Sequence, residues 1–146
     1  MLPNLLQYII AMIGALRAGC VVVNINPLYT PRELGHQIKD SGAKGILILA
    51  NFANTLEEAL PELSELQHII LTEIGDALPR LKAMLVNFVI KRIKKMVPKN
   101  TLHNTLSFQK ALKIGASLCF KKPVIAGDDI ASVSYTHLTL PTICSV

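Results

Sequence analysis

The sequence predicts an α/β fold, a partial parallel sheet with flanking helices, and three observations predict it. Helix-like and strand-like segments alternate through the first half of the chain. The strand-like segments CVVV (20–23), GILILA (45–50) and QHIILT (67–72) are nearly continuous apolar runs, the pattern of strands covered on both faces. At 146 residues, 51% of them hydrophobic, the chain is long enough to enclose one core.

Residues 4–18 (NLLQYIIAMIGALRA) read as a helix, with Asn4 as the candidate N-cap and Gly19 as the left-handed stop. It is apolar nearly all round, so it is expected inside a larger structure, and the chain is expected to be a piece of a longer one. A strand at Cys20–Val23 follows and is broken by Pro27. Thr30, Pro31 and Glu33 form a helix start with a capping box, Leu34, Ile38 and Ala43 are its apolar positions, and Ser41-Gly42 ends it. After strand 45–50, Asn51 or Asn54 is the expected cap of a third helix carrying Glu57, Glu58 and Leu60, and strand 67–72 closes the series.

From Leu78 to Val97 the pattern is that of one amphipathic helix. Leu85, Val86, Val89, Ile90, Ile93, Met96 and Val97 share an apolar face, Asn87, Lys91, Lys94 and Lys95 lie opposite, and Arg92 falls at the boundary. The charge is segregated along the chain: residues 1–76 hold four basic and eight acidic groups, residues 77–127 eleven basic and none acidic. Such a helix can lie in a membrane interface, with Lys91, Arg92, Lys94 and Lys95 as the candidate contacts to lipid phosphates, or it can pack on its own domain. Residues 105–116 read as a further short helix, and Lys121-Lys122-Pro123 opens a connection.

The residues contain no constellation for chemistry. His36, His68, His103 and His137 have no metal spacing, and the glycines form no phosphate-binding loop. The pairs Glu57-Glu58 and Asp128-Asp129 lack a neighbour that would tune them. No catalytic, cofactor-binding or metal-binding residue is therefore assigned. Cys20, Cys119 and Cys144 are widely spaced and give neither a disulfide framework nor a zinc site, which fits reduced thiols in the cytoplasm. The apolar run Tyr8–Leu16 is too short to span a bilayer, and no basic region precedes it as in a signal peptide. Three Tyr, four Phe and no Trp leave little to stack on bases, which argues against nucleic-acid binding despite the net charge of +5.

PNLLQY (3–8), LRAG (16–19) and above all VVVNINPLYTPREL (21–34) resemble bacterial long-chain fatty acid–CoA ligases. The likeness continues through DSGA (40–43), NFANTLE (51–57), HIILT (68–72), VNFV (86–89) and VPK (97–99), and spans about residues 1–131. The resemblance implies part of the amino-terminal domain of an AMP-forming synthetase whose parent enzyme uses ATP, magnesium, a fatty acid and CoA, first making an acyl-adenylate and then the thioester. It also places the 78–97 helix where these ligases carry a basic stretch, implying a cytoplasmic protein with peripheral contact to the inner membrane. The ligases' nucleotide loop reads Y-T-G-G-T-T-G and would begin just after DDIA (128–131), whereas Tyr135–Pro141 here reads YTHLTLP, without the glycines that bring backbone amides to phosphate. Residues 133–142 resemble a translated sequencing adapter. Residues 132–146 are therefore expected to be an unrelated, disordered tail, and the chain is expected to be inactive alone with no cofactor of its own.

Overall fold

In the computed structural model, which describes residues 1–90 and 102–134, five helices and five strands alternate after the first helix. They are α1 (Leu6–Arg17), β1 (Val22–Asn24), α2 (Pro31–Ser41), β2 (Gly45–Leu49), α3 (Ala53–Ala59), β3 (His68–Thr72), α4 (Arg80–Phe88), β4 (Thr105–Ser107), α5 (Phe108–Ser117) and β5 (Ser132–Ser134). Every strand pair is parallel. The α/β class with helices flanking parallel strands is thus present, but as two sheets: β2-β3-β4, and a separate pair β1-β5.

The best-specified element is α2. Thr30 Oγ1 accepts from the Glu33 amide at 3.4 Å, and the Glu33 carboxylate accepts from the Thr30 amide at 2.8 Å, so two otherwise unpaired donors are satisfied. Gly42 ends the helix at φ 61°, where a Cβ would be strained. Leu34 and Ile38 project from it into the core with Leu56 and Ala59 of α3, against Ile46 and Ile48 of β2 and Ile69 of β3. Burying an aliphatic side chain of this size contributes about 1.5–3 kcal/mol, so this cluster dominates the stability of the first half.

Several local expectations are corrected. Asn4 does not cap α1: the helix starts two residues later, behind Leu5, with no side-chain cap. Neither Asn51 nor Asn54 caps α3; a 3-10 turn at Ala50–Phe52 runs directly into the helix and supplies its first bonds from backbone instead. Residues 105–116 are not one helix, because Thr105–Ser107 add a strand to β3 before Ser107 caps α5 through the Lys110 amide. Ser132–Ser134, within the expected tail, pair with β1 as β5, and residues 135–146 lie outside the described residues.

The helix expected over 78–97 is seen as α4 over Arg80–Phe88, and Leu85 and Asn87 depart from the sequence reading, while Val86, Val89 and Ile90 of the expected apolar face are half-buried. Ala83 is buried and Asn87 turns inward, whereas Leu81, Met84, Leu85 and Phe88 are exposed, Leu85 to 64%. Of the expected polar side, Asn87 turns toward the domain because the turn after β3 offers both a donor and an acceptor that an amide can satisfy. Lys91, Arg92, Lys94 and Lys95 lie outside the described residues.

Candidate functional site

Polar side chains gather at the carboxyl ends of the parallel strands, the end at which open α/β sheets take ligands. Two clusters form there. In the first, the Asn24 side-chain oxygen at the end of β1 accepts from the Tyr8 hydroxyl at 3.1 Å, and its backbone carbonyl accepts from Gln37 Nε2 at 3.1 Å. Gln37 is buried, and its Oε1 has no hydrogen-bond partner among the described residues. Tyr8 comes from α1 and Gln37 from α2, so both helices are fastened to the end of one three-residue strand.

The second cluster organises the turn after β3. The Asp76 carboxylate accepts from the Thr72 hydroxyl at 3.1 Å, from the Glu73 amide at 2.8 Å and from Asn87 Nδ2 at 3.4 Å. Asn87 Oδ1 accepts from the Gly75 amide at 2.9 Å, and an added Cβ at Gly75 would come within 2.6 Å of that oxygen. Gln7, 1% exposed, reaches across from α1 and donates to the Glu73 and Ile74 carbonyls at 2.9 and 3.2 Å. Thus α1, β3 and α4 are joined through one turn.

Both clusters consist of groups that bond one another or the backbone. They hold strand ends and turns in place and contain no paired nucleophile and base. Among the described residues no group of three or more His, Cys, Asp or Glu is placed to hold a metal ion. His36, His68 and His103 are exposed and separate, Glu58 and Asp128 face solvent, and Asp129 caps its own turn through the Ala126 amide at 2.8 Å. Cys20 and Cys119 are free and exposed.

Among the described residues, titration is perturbed at Met1, Glu62 and Glu65. Burial lowers the Met1 amino group from 8.0 to about 5 while it donates to the Leu47 carbonyl at 2.8 Å. A hydrogen bond from Lys39, and then its charge, hold Glu62 below its usual value, and Lys44 does the same to Glu65. Both ion pairs are exposed and screened, so they add little to stability.

Gln7, Gln37 and Asp76 were not among the residues the sequence pointed to, and Asn87 was placed on the polar face of its helix. A signal existed for Gln7, the one amide in the apolar run Leu5–Leu16, where a buried polar group needs partners. Asn87 carried the same signal in weaker form.

The chain matches the family model of AMP-binding enzymes over residues 1–136. It is 52% identical over 136 residues to a long-chain-fatty-acid–CoA ligase of Salmonella typhimurium, covering 93% of this chain and 24% of that protein. With ligases of the same name it is 49% identical in Haemophilus influenzae and 33% identical in Bacillus subtilis, at the same coverage. The chain therefore spans about a quarter of the length of these curated relatives. On the extent of that match, which takes in every described element from α1 to β5, the chain belongs to the AMP-binding enzyme family.

Proposed function

We propose that this chain is the amino-terminal part of a long-chain fatty acid–CoA ligase and does not complete the reaction alone. In the parent enzyme a fatty-acid carboxylate attacks the α-phosphate of ATP to give acyl-adenylate and pyrophosphate; the CoA thiol then attacks the acyl carbon and releases AMP. Magnesium would accompany ATP there. The observation that carries this reading is 52% identity over 136 residues to a ligase of which those residues are 24%. The chain's own share is scaffold: Gln7, Gln37 and Asn87 fix strand ends and turns. Incapacity of the chain alone is argued from Tyr135–Pro141, which lacks loop glycines. Calorimetry with ATP, magnesium and palmitate tests it. No saturable heat is expected, and micromolar binding would overturn the reading.

A second reading, peripheral contact of a cytoplasmic protein with the inner membrane through the 78–97 segment, is favoured by the exposed Leu81, Met84, Leu85 and Phe88. Co-sedimentation with anionic vesicles that disappears at high salt is the expected result. Failure to sediment at low salt would sink it.

A further inference from the structure

Charge is divided between two surfaces of the described chain. Residues 30–66, which carry α2, β2 and α3, hold six acidic and three basic groups, whereas residues 105–127, which carry β4 and α5, hold four basic groups and none acidic. Helices α2 and α3 share one core with β2 and β3, and no residue of α1 or α5 belongs to it. The outer surface of α2 and α3 is therefore separate from that of α1 and α5.

Between the end of α2 and the turn at 62–66 lies a groove of about 100 Å³. Ile38, Leu63 and Leu66 give it an apolar floor, and the exposed Glu62 and Glu65 stand at its rim. Each carboxylate accepts from one lysine, Glu62 from Lys39 and Glu65 from Lys44, and keeps lone pairs for a second cation. The segment after α5 has the complementary character. Leu118 is extended, Leu118 and Phe120 expose more than half of their surface, and Lys121 and Lys122 follow with no ion-pair partner among the described residues. Its course is held from beneath: the Arg17 guanidinium lies 5.5 Å from the centre of the Phe120 ring, and Pro123 packs on Gly19, where an added Cβ would come within 3.2 Å. Phe120 thus has one face on Arg17 and the other open.

We propose that the groove between α2 and the 62–66 turn takes the 118–122 segment of a second copy of this chain, an apolar knob with two cations entering an apolar floor rimmed by two carboxylates. The chain does not close this contact on itself, since its own Phe120 lies on Arg17. A groove on one copy and a segment on the next make the interface heterologous, so each pair still offers one free groove and one free segment. Charge selects the pairing, because groove against groove or segment against segment would set like charges together.

Two charge-reversed forms of the full chain test this. Lys121→Glu with Lys122→Glu reverses the segment and leaves the groove; Glu62→Lys with Glu65→Lys reverses the groove and leaves the segment. All four side chains are exposed, so both forms should keep the circular dichroism of the unchanged chain. The segment-reversed form, isotope-labelled, is titrated with the unlabelled groove-reversed form while the amide signals of Leu63, Ser64 and Leu66 are followed by NMR. They should shift saturably, with an affinity at least about fivefold tighter than when the same labelled form is titrated with unlabelled copies of itself. The shifts should disappear at about 1 M salt, and a chain carrying all four reversals should regain self-association. Equal affinity in the two titrations, or shifts that grow with salt, would give the association to the bare apolar helix faces and overturn the docking. So would no shift in the first titration together with binding to anionic vesicles that Lys121→Glu with Lys122→Glu abolishes, which would give the segment to a lipid surface.

Discussion

Gln7 shows how much one amide can settle. It donates to two half-buried carbonyls of the turn after β3; Gln7→Leu would remove the donor to the Ile74 carbonyl, while the Glu73 carbonyl keeps the Asp76 amide at 3.0 Å. A loss of about 1–3 kcal/mol is expected, measured by urea denaturation. The amino group of Met1 makes stability depend on pH. It is uncharged in the folded chain down to about pH 5 but protonated below about 8 when unfolded, so the unfolded state holds the extra proton in between. Stability should be full above pH 8, decline as pH falls toward 5 and stay level below that, with a total on the order of a few kcal/mol. Acetylating the amine should abolish this part of the pH profile while keeping the bond to Leu47; an unchanged profile would refute the assignment.

At the scale of elements, α2 and α4 behave oppositely under sequence reading. The start of α2 was legible because its capping box is local: Thr30 and Glu33 need only each other. Thr30→Ala should cost about 1 kcal/mol in a thermal or chemical melt. The buried face of α4 was not legible, because what draws Asn87 inward is the Asp76–Gly75 turn eleven and twelve residues away. Two substitutions test the placement of Leu85 and Asn87. Leu85→Gln should change stability by no more than about 0.5 kcal/mol, as at other exposed sites, whereas Asn87→Leu should cost about 1–3 kcal/mol by stranding the Gly75 amide. Strand β4 escaped for a related reason, since Thr-Leu-Ser holds one apolar residue and becomes a strand only beside β3.

Across the whole molecule, stability is unevenly spread. The β2-β3 ladder runs five residues under the main core, while β1-β5 joins three residues across the length of the chain. Amides of β1 and β5 are therefore expected to exchange well before those of β2 and β3. Much apolar surface is also open, including Ile9, Ile10 and Ile13 on α1 and Phe88 on α4. Large exposed patches promote association, so scattering mass should rise with protein concentration. What the sequence by itself determined was the alternation of elements, the bounds of α2, the apolar strands β2 and β3 and the kinship to a ligase family, because helix caps, apolar runs and short motifs are set by residues near one another along the chain; the strand expected at Cys20–Val23 is instead the half-buried Val22–Asn24, with Cys20 and Val21 exposed. Only the tertiary structure decided strand order, the inward turn of Gln7 and Asn87, and the seat of Met1 on β2. Each of those depends on an acceptor or donor brought close by folding, which no local pattern encodes.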